Sequence, residues 1–329
     1  MSVVIPTFNR LDQLRRTLDG LAAQVELDDE LQVVVVSDGS TDGTDEYLAS
    51  GSAPLPLVVG LQPNGGPAVA RNHGVSLATN DYVLFIDDDV VPAPELVAAH
   101  MRRHARSETD AVVIGPMLTP QDEPLSAWVR WEQDMLYKQY AAMERGDYAP
   151  TARQFYTGNA SVARRHLDAV GGFDASFRRA EDVELAYRLD DRGLHFTFAP
   201  EAVVVHHAER SYDAWRQAAT AYGRNDVIFS RDHGREWLMG KICHEFHDRH
   251  RLVRVLTRAC LPRPRTSAVV DASLSGLVKV SDRLGTSSIT RPALSAVYNL
   301  AYYRGMADEL GDPRQLLADF AAARPTPPT

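Results

Sequence analysis

An α/β fold built on a mostly parallel sheet is the expectation for this chain of 329 residues. Short apolar runs alternate with segments of helical periodicity through the first hundred residues. The runs end in polar, glycine-rich or acidic turns, the positions at which open α/β sheets bind ligands. The last third of the chain turns uniformly helical, which adds a C-terminal helical extension to the sheet domain.

The elements follow in order. Met1 to Pro6 starts a strand, Thr7-Phe8-Asn9 closes it, and Leu11, Leu14, Leu18 and Leu21 recur at helical spacing. Gln32 to Val36 is a second buried strand, ending in the polar turn Ser37-Asp38-Gly39-Ser40. Leu57 to Leu61 reads as a third, after which Asn64-Gly65-Gly66-Pro67 opens a helix carrying Arg71 and Asn72, with Pro67 suited to its first turn. Tyr82 to Ile86 is the fourth strand and runs directly into Asp87-Asp88-Asp89. Such alternation argues for right-handed crossovers, so that Asp38, Arg71 and the three acids converge on one sheet edge.

Three adjacent acids repel one another, and a run of like charge with no task usually sits on a solvated surface rather than after a core strand. A hard divalent cation, Mg²⁺ or Mn²⁺, resolves the conflict, because it takes oxygen ligands and is commonly held by one or two carboxylates plus substrate phosphates. The plain alternative is an acidic strand exit in which Asp87 caps a helix. No G-x-x-x-x-G-K-[ST] is present, nor a G-x-G-x-x-G after the first strand, so phosphate charge must be met chiefly by a metal.

Pro6-Thr7-Phe8-Asn9-Arg10, Ser37-Asp38-Gly39-Ser40, Ala70-Arg71-Asn72-His73-Gly74, Asp87-Asp88-Asp89 and Glu181-Asp182 appear in the order seen in family 2 glycosyltransferases, which have the GT-A fold. The chain resembles that family over roughly its first two thirds. The resemblance implies a nucleotide-diphospho-sugar transferase with a Rossmann-like sheet, and an inverting transfer from a nucleotide-activated donor to an acceptor hydroxyl or other nucleophile. It implies residues 1–210 as the catalytic domain, 1–115 for the nucleotide and 116–210 for the acceptor, with 211–329 as the helical extension. Pro6, Thr7, Asn9, Arg10 and Asp38 match the donor side, and Arg71 a position near the nucleotide. Asp88, with Asp87, would meet the ribose, and Asp89 the metal, although which acid touches the metal stays open. Gly158, in Phe155-Tyr156-Thr157-Gly158-Asn159-Ala160-Ser161, would permit close approach below the donor sugar; its plain reading is a strand-edge turn.

In the family the Asp of the Glu-Asp pair is the general base, so Asp182 takes that role and Glu181 is the runner-up; acids in a first helical turn otherwise serve only the helix dipole. Val203-Val204-Val205 reads as a strand ending in His206 and His207, which point to opposite faces. His206 matches the family's further metal ligand; the alternative is a locally hydrogen-bonded strand-end histidine.

At 44% hydrophobic and 24% charged, the chain can bury one large core plus an appended segment. Cys243 and Cys260 form no disulfide or metal framework, and with no signal peptide or spanning segment the expected location is cytoplasmic. A net charge of -9 argues against nucleic-acid binding. One local exception runs from Lys241 to Arg265, where Arg249, Arg251, Arg254, Arg258 and Arg263 meet only Glu245 and Asp248. It reads as a solvated helical face, with an anionic membrane surface or a phosphorylated acceptor as the alternative. Trp128-Val129-Arg130-Trp131 to Tyr140 is either a sugar platform or simple packing. The extension could cover the acceptor cleft or carry a homodimer interface, and 324–329 should fray.

UDP is the carrier expected from the resemblance, with GDP or dTDP open; the acceptor is a glycan, a lipid-linked saccharide, a peptide or a small molecule. A sugar-nucleotidyltransferase and a non-catalytic nucleotide-sugar module are the competing classes. A processive synthase is disfavoured by the missing Q-x-x-R-W signature.

Overall fold

A computed structural model describes residues 1–27, 31–107, 109–120, 122, 124–208 and 210–323; the tail expected to fray lies outside them. The chain divides into two compact units, Met1–Glu123 with Gln133–Ala208, and Pro124–Glu132 with Glu209–Thr329.

The first unit is built on β1 (Ser2–Thr7), β2 (Gln32–Ser37), β3 (Val58–Leu61), β4 (Tyr82–Ile86), β6 (Ala111–Ile114), β8 (Asn159–Ala163) and β9 (His195–Phe198). These form one seven-stranded sheet in the order β3-β2-β1-β4-β8-β6-β9. All neighbours are parallel except β8, which runs antiparallel to both β4 and β6. Val3, Val4, Ile5 and Val33 to Val36 are fully buried, as continuous apolar strands must be when helices cover both faces. Helices α1 (Leu11–Ala22), α2 (Thr44–Ala49), α3 (Pro67–Leu77) and α4 (Leu96–Arg106) fill the crossovers, and α6 (Arg164–Val170) and α7 (Glu181–Asp191) follow β8. Leu14, Leu18 and Leu21 turn the apolar stripe of α1 into the core.

A second sheet contains the strand expected at Val203 to Val205, together with two strands that the sequence did not signal. β5 (Val90–Pro92) follows the acids at once and pairs antiparallel with β10 (Val204–His206), which pairs in parallel with β7 (Met117–Leu118). Strands of two or three residues are too short for a periodicity to register. Their register places His206 opposite Val90, and so brings β10 to the acidic turn.

Helix α5 (Ala127–Glu144) carries the division between the units. The second unit adds α8 (Tyr212–Asp232), α9 (Glu236–Asp248), α10 (Arg251–Cys260), α11 (Pro264–Arg283), α12 (Ser287–Leu310) and α13 (Pro313–Ala322). α8 and α12 pack backbone to backbone at two glycines: a Cβ on Gly223 would fall 2.0 Å from the Tyr302 carbonyl, and one on Gly305 1.9 Å from that of Thr220. Trp128 and Trp131 pack in the aromatic cluster of this unit with Tyr212, Trp215 and Tyr298. Cys243 and Cys260 are buried free thiols.

Candidate active site

The carboxyl ends of β1, β2 and β4 bring Thr7, Asp38 and Asp87 to one edge, because parallel pairing aligns Thr7 with Ser37 and Val4 with Phe85. Antiparallel pairing sets Ile86 opposite Asn159, which delivers Gly158 to the same edge from the other direction. A Cβ on Gly158 would lie 2.6 Å from Met117 and 3.0 Å from Asp87 Oδ2, so only glycine leaves the strand end open.

Charge is distributed unequally among the acids. Arg71, 5% exposed on α3, donates from Nη2 to Asp87 Oδ1 and from Nη1 to Glu181 Oε1, both at 2.8 Å. One guanidinium therefore joins the end of β4 to the start of α7, with Arg71 itself 110 residues before Glu181 in sequence. A buried ion pair needs good geometry to offset desolvation, and the guanidinium fork provides it on two sides. Asp182, next along α7, forms no ion pair among the described residues, although the Arg71 charge acts on it from farther off; its Oδ1 accepts from the Val183 N–H at 2.8 Å. Burial, reinforced by the neighbouring Glu181 charge, pushes the Asp182 carboxyl up to about 7. Ala180, immediately before the pair, adopts φ 60°, a left-handed backbone in a non-glycine residue.

Asp88 and Asp89 share Arg10, whose Nη1 lies 3.1 Å from Asp88 Oδ1 and 2.6 Å from Asp89 Oδ2. Burial pushes Asp88 up to about 6 against the pull of Arg10. Burial acts on Asp89 in the same sense, but His206 and Arg10 outweigh it and hold that carboxyl below its ordinary value. Asp89 Oδ1 is buried without a hydrogen-bond partner and faces His206 Nε2 at 3.4 Å. That is long for a hydrogen bond, whereas adjacent ligands of an octahedral cation lie about 3 Å apart. The donor set, one carboxylate oxygen and one imidazole, fits Mn²⁺ or Mg²⁺ completed by phosphate oxygens. No group of three His, Cys, Asp or Glu able to hold a metal occurs among the described residues. His207 instead donates its backbone N–H to the Asp89 carbonyl at 2.9 Å.

Asp38 is drawn into local structure. Its Oδ1 accepts from Gln62 Nε2 at 2.7 Å and the Gly65 N–H at 2.8 Å, and its Oδ2 from the Gly66 N–H at 2.9 Å. These bonds shape the turn between β3 and α3. Asn9, at φ 54°, accepts from the Thr41 N–H at 2.7 Å and ties the β1 and β2 turns together. Pro6 pairs with Val36 on β1, and Thr7 is buried at its end beside Asp88.

Two supports were not recognised in the sequence. Asn72 accepts from the Phe173 N–H at 2.7 Å and donates to its carbonyl at 2.8 Å, anchoring the loop before α7 to the helix that bears Arg71. Below Gly158, His100 Nδ1 and His104 Nε2 both meet Ser161 Oγ at 2.8 Å, and His100 Nε2 meets Asn159 Oδ1 at 2.9 Å. Burial lowers the two histidines to about 4 and about 3, so both are neutral. The Arg71-Asn72 dipeptide signals the first support, whereas nothing in the sequence pairs α4 with β8.

A family model described as glycosyl transferase family 2 matches residues 2–172, just over half of the chain. The chain belongs to that family. Validoxylamine A glucosyltransferase of Streptomyces hygroscopicus subsp. jinggangensis is 33% identical over 230 residues, covering 61% of this chain and 54% of that protein. The chain thus spans about half the length of the curated relatives it matches. Among solved structures, the mannosyltransferase PcManGT from Pyrobaculum calidifontis, in complex with GDP-Man and Mn²⁺, superposes with TM-score 0.61 at 22% identity, covering 90% of this chain and 85% of that one. S. aureus TarS 1–349 in complex with UDP-GlcNAc gives 0.55 at 16%, covering 94% and 92%. These likenesses and the mostly parallel sheet make the fold GT-A, with a helical C-terminal region.

Proposed function

We propose that the chain is an inverting glycosyltransferase that moves one sugar from a nucleotide-diphosphate donor to an acceptor nucleophile with the help of a divalent cation. The division of charge carries the reading: Arg71 neutralises Asp87 and Glu181, and Asp182 is left with a carboxyl near neutrality. That supports Asp182 over Glu181 as general base, since a base titrating near the working pH is partly free to accept and strong enough to pull. Its carboxylate would take the acceptor hydroxyl proton while the acceptor oxygen forms its bond to the anomeric carbon and the diphosphate leaves from the opposite face. Asp89 and His206 would hold the cation, which when bound neutralises charge on the departing diphosphate. Asp88 is the candidate for the ribose, and Gly158 leaves room for the donor sugar.

GDP-Man and UDP-GlcNAc are the ligands of two structural neighbours, so guanosine and uridine carriers, with dTDP, are the donors to test. A small natural product is one acceptor class, by analogy with the validoxylamine A relative. Calorimetric titration with UDP, GDP and dTDP, each with and without Mn²⁺, tests the donor site before any acceptor is known. Binding of one nucleotide that needs Mn²⁺ and is lost in Asp89→Ala is the expected result. Metal-independent binding unchanged by Asp89→Ala would remove the metal from the proposal. No binding to any nucleotide would leave a module that does not use such a donor.

A further inference from the structure

Helices α10 and α11 pack against one another and both lie along α12, so their outer faces are neighbours. α10 turns Val253, Thr257 and Cys260 inward, and α11 turns Ser267, Val278 and Ser281 inward. The outer faces are not the polar surface that usually balances such burial. Val255 is 52% exposed on α10; Val269 and Val280 are 67% and 57% exposed on α11, and Leu284 just beyond it is 73% exposed. On a helical projection, Arg265, Val269, Gly276, Lys279, Val280 and Arg283 fall within an arc of about 100°, so aliphatic and cationic side chains share one face.

Acids do not balance these cations. α10 contains none, and both acids of α11 are already engaged: Asp271 by Arg304 at 3.0 Å and Arg216 at 3.6 Å, Asp282 by Arg130. Arg251, Arg254, Arg258, Arg265, Lys279 and Arg283 have no carboxylate within ion-pair reach among the described residues. An overall charge of -9 therefore coexists with a local surface of the opposite sign.

Exposed aliphatics flanked by unanswered cations are what an anionic bilayer surface selects: the aliphatic groups enter the headgroup boundary and the cations meet lipid phosphates. A second copy of the same face would bring like charges together with no acid to answer them. We propose that the α10–α11 face docks peripherally on an anionic lipid bilayer. No helix among the described residues is long and apolar enough to cross a membrane. This inference goes beyond the transferase reading and does not depend on it.

Co-sedimentation of the full chain with vesicles tests it. Phosphatidylcholine vesicles containing phosphatidylglycerol should carry the protein down, and phosphatidylcholine alone should not. Raising the salt should release it, because the cationic part of the contact is screened. Val269→Glu with Val280→Glu, and separately Arg251→Glu with Arg265→Glu, should each lower partitioning about tenfold or more. All four sites are solvent-facing, and unchanged circular dichroism and thermal melting would exclude misfolding. Absence of sedimentation with the anionic vesicles, equal sedimentation with both, or unchanged partitioning of both variants would overturn the proposal. A dimer in light scattering that Val280→Glu converts to monomer, without vesicle binding, would assign the face to a second copy instead.

Discussion

The two units place charge in opposite ways. In the first, Arg71, Asp38, Asp88, Glu181 and Glu184 are buried, and the acids and cation of the site are held among them. In the second, the interior is aromatic, with Trp215, Phe229, Phe246, Tyr303 and Phe320 fully buried, while arginines and several aliphatic side chains lie outside. Buried charge opposes folding unless it is partnered, so its concentration at one sheet edge marks where stability has been traded for chemistry. Exposed aliphatics cost little in the isolated chain and point to a surface that is covered when it works.

The largest effect expected from breaking this contrast is at Asp182. Asp182→Asn should lower transfer by about 10³-fold, within the range for loss of a general base, while nucleotide affinity stays within about twofold. Initial rates with pH should show an acid limb in the wild type near the value to which burial raises the carboxyl, about 7, with activity lost as pH falls through it. Transfer retained in Asp182→Asn would move the base to Glu181 or elsewhere.

Arg71→Met should come next. It leaves Asp87 and Glu181 buried without their cation and should cost roughly 3–5 kcal/mol in urea denaturation. A loss below 1 kcal/mol would mean that the two acids are better solvated than the structure indicates. Arginine replacement on the outer face of α10, such as Arg251→Met, should leave stability nearly unchanged by comparison.

The pH dependence of stability sharpens the contrast further. His100 and His104 have folded values below the ordinary 6.5, so the unfolded chain binds more protons and stability falls as pH drops below 6.5 toward 4. Asp182 acts in the other sense: its folded value lies above 3.8, so its contribution is fully present at low pH and is lost as pH rises through about 7. Between pH 7 and 5 the two effects oppose one another. Asp182→Asn should remove the second and steepen the acid-side loss by on the order of 2 kcal/mol, read as urea midpoints at the two pH values. An unchanged slope would show that Asp182 does not titrate in that window.

The smallest effect is at Gly172, where φ is +73° and a Cβ would lie 2.4 Å from Asn72 Oδ1. Gly172→Ala should cost about 1–2 kcal/mol through strain and displacement of the Asn72 anchor. A thermal melt identical to wild type would separate the loop before α7 from the Arg71 helix.

Much of the sheet was legible because its strands are short apolar runs closed by polar turns, and Asp38 and Asp87 stand at strand ends in the sequence itself. In the small sheet β10 was legible as the valine run before His206, but β5 and β7 were not, since two or three residues carry no period. The acids were visible as candidates, but their division of labour was not. Asp38 binds the turn between β3 and α3, more than twenty residues on, and Arg71 pairs with Glu181 but forms no ion pair with Asp182, and each of these facts depends on how separate elements meet. Arg10 was legible as a donor-side residue through its motif, whereas its bridge between Asp88 and Asp89 depends on the turn after β1 meeting the turn after β4.

Hydrophobic periodicity and turn chemistry act over a few residues, so the sequence by itself determined the strand ends, the helices and the list of ionisable groups delivered to one edge. Protonation and pairing depend on distance and burial in three dimensions, where one ångström changes an interaction and sequence separation counts for nothing. Only the tertiary structure decided that Arg71 reaches Glu181, that Asp89 faces His206, and that the cations of α10 and α11 have no carboxylate within ion-pair reach among the described residues.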